Sequence, residues 1–323
     1  MPNDSATRDV PRPRSRNIVP SLFGMFLLNF ILLYALSDIP GEIGRWKMAA
    51  AEKQLHQGEF EQAIATADDA ISWDPDNVRF LQTRINWLQG HGDAEEAKAA
   101  IDQLLAEADD DRNVAAQLLF QRAGLLQSMG QHAQAVADAN KAFEYANVTR
   151  KPSDDGTYDP EVLNGRAYII ARAAAASQVS DEELGKAYED MRELVRFWHV
   201  NLDSFVEETG SLGPSLNFQY NELMFLDTFA YVRLYAGEPQ DALRDFNRCL
   251  AMCDHLTALA KNNARNLGEG ETMRRRVRQL KETRAVVLHH RGEAYRQLGN
   301  SAAANADFFA ARRLGYDPKS GVW

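Results

Sequence analysis

From residue 44 to residue 318, small and apolar side chains recur three or four positions apart, and short turns interrupt them at intervals. That spacing puts them on one face of an α-helix. The stretch GEFEQAIATADDAISWDP, residues 58–75, shows the pattern: it opens on glycine, carries alanines at helical spacing and stops at proline. Five glycines are each followed five residues later by an alanine: Gly58 and Ala63, Gly92 and Ala97, Gly130 and Ala135, Gly237 and Ala242, Gly299 and Ala304. Each pair sits between two helical segments. The glycine suits the left-handed turn that closes a first helix. The alanine opens a second helix and lets the two approach closely. Gly58 to Gly92 is 34 residues, and Gly92 to Gly130 is 38. A hairpin of this size cannot bury its apolar face alone, so its neighbours stack on it.

The N-terminal pattern is different. Residues 1–17 are polar, arginine-bearing and broken by proline, which predicts a disordered basic arm. Residues 18–36, IVPSLFGMFLLNFILLYAL, carry no charge over 19 positions. As a helix rising ~1.5 Å per residue they match the ~30 Å hydrocarbon core of a bilayer. Residues 18–37 are therefore predicted to be a transmembrane signal anchor. Arg8, Arg12, Arg14 and Arg16 precede it, so the positive-inside rule keeps the N-terminus cytoplasmic. The remaining residues then lie across the membrane, in the periplasm or an equivalent compartment if the source is bacterial. The alternatives are a cleaved signal peptide, with Ala35 and Ser37 at the cleavage site, which leaves a secreted soluble protein, or a buried core helix.

The repeating part is similar to tetratricopeptide-repeat proteins, whose helix–turn–helix period is about 34 residues. The last unit, residues 288–318, carries Gly292 and Tyr295 at the family's G-x-x-Y spacing and Ala304 and Phe308 at its A-x-x-x-F element. Ala242 and Phe246 repeat that element. Ala51, Gly58, Ala63, Ala67, Ala70 and Pro75 fall on the family's small, turn and proline positions, as do Ala123, Gly130, Ala135, Ala139 and Ala142 in the third unit. The resemblance implies an all-α fold: a right-handed α-solenoid of five to six hairpins over residues 44–318, with 319–323 as a tail. Departures are Ile85 where a small residue is usual, and a fourth unit, residues 163–197, that has Ala187 but lacks the glycine. Later units are spaced by more than one repeat, which places insertions near 147–160, 199–219 and 254–282. The last of these reads as two lengthened helices broken at LGEGE.

Charge narrows the function classes. The protein has a net charge of −10, and residues 1–37 contribute +2, which leaves −12 on residues 38–323. A field of that sign repels phosphate backbones, so no nucleic-acid partner is expected. Catalytic and metal signatures are missing: there is no H-E-x-x-H, P-loop, G-x-S-x-G or C-x-x-C. No enzyme activity, cofactor or metal is expected. Cys249 and Cys253 read as small buried packing residues, and the adjacent His289 and His290 as helix-surface side chains. Asp109, Asp110 and Asp111 read as a helix-starting turn. Arg274 to Arg278 read as a solvated face paired with Glu269 and Glu271, or as a contact for an acidic partner or lipid headgroups.

The resemblance also implies a binding surface, since first helices line the concave side in this family. The matching positions are Arg79, Gln82, Asn86 and Gln89; Gln117, Phe120 and Gln127; Asp227, Tyr231 and Tyr235; and His289, Glu293 and Arg296. Amides pair with an extended peptide's backbone and tyrosines offer rigid contact surface. The lysine–asparagine clamp of chaperone-tail binders is not matched, because Met48, Glu52, Phe120 and Gly124 stand at its positions and only Asn86 fits. The expected job is a membrane-anchored scaffold that docks a protein or peptide. The alternative is an enzyme or solute-binding protein with its site in the insertions. Oligomeric state is left open by the sequence.

Overall fold

The computed structural model describes residues 39–75, 77–108, 111–147, 159–209, 216–266 and 270–317. Every regular element among them is an α-helix. The predicted basic arm, membrane span and C-terminal tail lie outside these residues, as do 148–158 of the first predicted insertion. Among the described residues, no helix is long and apolar enough to cross a membrane. The protein divides into two compact units, Met1–Trp87 and Leu88–Trp323.

In the first unit, α1 (Ile39–His56) and α2 (Phe60–Trp73) make one hairpin, followed by the start of α3 (Val78–His91). Met48, Ala51, Ala67, Ala70 and Phe80 form its core. Gly44 allows a close approach here, since a Cβ on it would lie 2.9 Å from the Phe80 ring.

The second unit holds α4 (Ala94–Glu107), α5 (Arg112–Ser128), α6 (His132–Tyr145), α7 (Pro160–Ala175), α8 (Asp181–Thr209), α9 (Leu216–Tyr235), α10 (Pro239–Asn266), α11 (Gly270–Gln297) and α12 (Ser301–Arg313). Successive pairs from α5 onward are hairpins, and each second helix also packs on the first helix of the next hairpin. The first helices α5, α7, α9 and α11 touch one another in series, which makes them the inner row of the stack.

The local chemistry explains the hairpins. All five turn glycines read from the sequence have positive φ, from 75° to 99°. At Gly130, the backbone N–H of Gln131 donates to the carbonyl of Leu126 at 2.8 Å, which closes α5 in a Schellman turn. The fourth hairpin, which lacks glycine, closes in the same way: Ser177 takes φ 56°, and Gln178 N–H donates to the Ala173 carbonyl at 2.8 Å. The partner alanines Ala63, Ala97, Ala135, Ala187, Ala242 and Ala304 are all buried. Asp111 caps α5 by accepting from the N–H groups of Asn113 and Val114, the helix-starting role expected of it. Asp159 caps α7 in the same way, with Pro160 in its first turn.

Much of 199–219 is helix: α8 runs for 29 residues to Thr209, and α9 begins at Leu216. Trp198 stacks on Phe218 at 4.5 Å. Helices α10 and α11 are 28 residues each, twice the length of α6.

An arginine on several first helices ties its own hairpin to the preceding one. Arg122 donates twice to Asp138 on α6, at 2.6 and 2.8 Å, and to Asp102 on α4 at 2.7 Å. Arg166 bonds Asp190 on α8 and Asn140 on α6, both at 2.8 Å. Arg291 donates twice to Asp307 on α12 and reaches Asn247 on α10 at 2.8 Å. The fork of donors on guanidinium suits a bidentate carboxylate and still leaves an N–H for a second partner.

Candidate functional site

The inner row gathers aromatic and ionisable side chains where α7, α9 and α11 meet. Helix α11 presents His289, His290, Glu293 and Arg296, and α9 presents Asp227, Tyr231 and Tyr235. His290 is fully buried, with Nδ1 3.1 Å from Asp227 Oδ2 and 3.2 Å from Oδ1. The Tyr231 ring stacks on it at 3.9 Å and Tyr168 of α7 lies at 6.1 Å. This corrects the reading of His290 as a surface residue. Neighbouring side chains of α7, α9 and α10 close over α11 at that position, so the imidazole is a core group paired through Nδ1 with a carboxylate. Its Nε2 is buried with no partner among the described residues.

The expected groove residues divide by burial. In the first unit Arg79 and Asn86 are exposed and Gln82 is half-buried. In the second, Gln117 and Arg296 are exposed, while Gln89, Phe120, Tyr235 and His289 are half-buried. Gln127, Asp227, Tyr231 and Glu293 are buried and do not present themselves to solvent. Gln127 instead donates to the Ile169 carbonyl on α7 at 3.1 Å. Phe120 covers Gly165, where a Cβ would fall 2.6 Å from its ring. The structure brings Asp227, Tyr231, Tyr235, His289, Glu293 and Arg296 into one cluster.

Tyr235 donates to Glu293 at 3.1 Å, and His289 lies 3.5 Å from the same carboxylate. Burial pushes the Glu293 carboxyl up, but the hydrogen bond and charge of His289, the charge of His290 and the Tyr235 hydroxyl outweigh it and hold the group at about 2. Burial raises the Tyr231 and Tyr235 phenols, helped by the charge of Glu293.

Three members of the cluster were not singled out from the sequence: Tyr168, Arg172 and Tyr316. Counted back from the turn residue, Arg172 stands five positions before Ser177, whereas Tyr231 and Glu293 stand six before Gly237 and Gly299. It therefore falls outside the expected groove register. Tyr316 follows α12; Gly315, at φ 101°, turns the backbone so that the phenol stacks on His289 at 4.4 Å. The signal available in the sequence was the adjacent glycine and tyrosine shortly after the last phenylalanine-bearing element.

Cys249 and Cys253 are free and buried, as expected of packing residues. Burial raises both thiols, that of Cys253 to about 12, so neither is a thiolate near neutral pH. Of the basic run, Arg274 pairs with Glu271 at 3.0 Å, and Arg276 bonds Asn217 and lies over the Tyr220 ring. Among the described residues, no group of histidine, cysteine or carboxylate side chains is arranged to hold a metal ion.

Comparison with known proteins bears on the repeats directly. Two tetratricopeptide-repeat family models match the protein, at residues 54–121 and 116–149. No curated protein matches it. Among solved structures, it is similar to a tetratricopeptide repeat protein from Parabacteroides merdae, with 16% identity, a TM-score of 0.44, and coverage of 86% of this chain and 95% of that one. It is similar to PilW, a type IV pilus biogenesis factor, with 16% identity, a TM-score of 0.47, and coverage of 86% and 96%. It is also similar to a Rap protein complexed with competence and sporulation factor, with 15% identity, a TM-score of 0.44, and coverage of 90% and 79%. Tetratricopeptide repeats are thus found within residues 54–149.

Proposed function

We propose that this protein is a non-catalytic scaffold whose inner row of first helices docks a partner protein or peptide beside a membrane. The observation that carries the reading is the inner row itself. Helices α5, α7, α9 and α11 pack in series and leave Gln117, Phe120, Tyr235, His289 and Arg296 at least partly accessible on one row of elements. Aromatic and arginine side chains with fixed neighbours make good docking anchors because little side-chain entropy is left to lose. Tetratricopeptide repeats, found over the matched residues, are a protein-docking architecture.

The anchoring half rests on residues 18–36, which are uncharged over a bilayer-spanning length and are preceded by four arginines. Holding the repeats at a membrane raises their effective concentration toward other membrane-bound proteins. The test is paired. The full-length protein should resist extraction from membranes by alkaline carbonate, and a variant lacking 18–36 should be released. Arg296→Glu with Tyr235→Ala should lose a co-purifying partner that the unaltered protein retains. Full extraction of the intact protein would refute the anchor, and an unchanged partner profile in the double variant would refute the docking face.

A further inference from the structure

The basic run at the start of α11 has no part in docking on the inner row. Residues 254–284, the last part of α10, the first part of α11 and the link between them, hold eight lysines and arginines against four acids. They carry +4 inside a stretch, 38–323, that carries −12. Part of this charge is engaged within the protein. Arg274 pairs with Glu271 at 3.0 Å, Arg284 donates to Asp254 of α10 at 2.6 Å, and Arg276 bonds Asn217 of α9 and lies 4.6 Å from the Tyr220 ring. Arg275, Arg278 and Lys281 are exposed, and none of them has an ion pair or hydrogen bond among the described residues. With Arg274 they span about a third of the helix circumference, and Leu280 and Thr283 are buried on the opposite side. The bond from Arg284 to Asp254 sets the register of the two antiparallel helices. Lys261 of α10, exposed and equally unpaired, therefore lies level with residue 277 of α11.

We propose that the stripe formed by Arg275, Arg278 and Lys281 rests on the anionic phospholipid headgroups of a bilayer. This draws on the membrane half of the reading above and gives the second unit a lipid contact of its own. A docked protein fits the stripe less well. Protein interfaces close around an apolar or aromatic centre that excludes water, and lysine is depleted there. The stripe has no such centre: Leu280 is buried, Val277 is half-buried, and the exposed side chains among the cations are Glu271, Thr272 and Glu282. Unpaired cations on successive turns suit a plane of many phosphates instead. Each is reached separately by a long side chain whose head stays hydrated. The acidic remainder of the protein is repelled by the same plane, so the charge asymmetry also orients it with the basic edge toward the lipid. The attraction fades over a Debye length, ~8 Å at physiological salt. It therefore acts on a protein already held at the membrane, which is the task assigned above to residues 18–36.

The full-length protein reconstituted into vesicles tests this, with phosphatidylcholine alone compared with phosphatidylcholine mixed with phosphatidylglycerol. A fluorophore on Thr272→Cys, exposed beside the stripe, reports the approach of a lipid carrying a nitroxide on its headgroup. The native Cys249 and Cys253 are buried and stay unlabelled. Quenching should be stronger in the mixed vesicles and should fall as salt rises. It should return to the phosphatidylcholine level in the triple variant Arg275→Gln, Arg278→Gln, Lys281→Gln. Each cation should contribute about 5-fold to the ratio of docked to free protein, and the three together about 100-fold. Lys141→Gln, at an exposed position of α6, should change nothing. The triple variant should keep its melting temperature, since its three side chains have no partner to lose, and the salt and lipid dependence of the unaltered protein tests the contact without it. Equal quenching in the two kinds of vesicle, or full quenching retained by the triple variant, would overturn the lipid contact and leave the anchor standing. Equal quenching together with loss of a co-purifying acidic protein from the triple variant would assign the stripe to that protein instead. A protein that does not float with phosphatidylcholine vesicles would refute the anchor. The stripe would then stand only if mixed vesicles float the protein and do not float the triple variant.

Discussion

Single side chains decide how rigid the inner row is. Arg166 is 7% exposed and its partner Asp190 is 3% exposed, so removing the arginine takes the charged partner from a buried carboxylate. Arg166→Ala is expected to cost about 3–5 kcal/mol, the range for breaking a buried pair by deleting one member, read by denaturant unfolding. A loss below about 1 kcal/mol, the net worth of an ordinary hydrogen bond, would show that Asn140 and water compensate. Glu293 gives the matching test in acid. Its carboxyl is held at about 2, below the ordinary 4.5, and its side chain is 12% exposed. A depressed carboxyl contributes stability that is present above the unfolded value and lost as pH falls through the folded one. The wild type should therefore lose up to roughly 3 kcal/mol more than Glu293→Gln between about pH 5 and pH 2. Parallel pH profiles would contradict the account. These pairings were not legible in the sequence, because Asp227 and His290 lie 63 positions apart and nothing local marks them as neighbours. Burial of the two cysteines was legible, since small side chains at close-packing positions of a helical hairpin face inward.

Among the elements, the turns were the most readable feature. A glycine closing one helix and an alanine opening the next left a signal wherever the left-handed residue was glycine, and all five such turns are present. The fourth hairpin hid its turn because serine adopts that conformation without announcing it. Ser177 at φ 56° carries the strain of a Cβ in the left-handed region. Ser177→Gly should thus stabilise the second unit by about 1 kcal/mol, seen as a higher urea midpoint. A drop would show that the serine hydroxyl does more than the strain costs. Helix length was less legible. The stretch 199–219 reads as an insertion, yet α8 continues to Thr209 and α9 begins at Leu216. Its residues are mixed enough that periodicity alone does not separate a long helix from a loop.

For the whole molecule, repeat period and net charge were legible, and the occupant of the inner row was not. A repeat pattern assigns positions by register, and Arg172 and Tyr316 reach the cluster from outside it. Docking on the first helices also implies a partner that meets one side of the stack. The most direct measurement is photo-crosslinking in cells, with a crosslinking amino acid placed singly at Gln117 on α5, at Arg296 on α11, or at Lys141 on the second helix α6, all exposed positions of the second unit. The account predicts one discrete crosslinked protein from Gln117 and Arg296 and none of it from Lys141. The same product from all three positions, or from Lys141 alone, would contradict docking on the inner row.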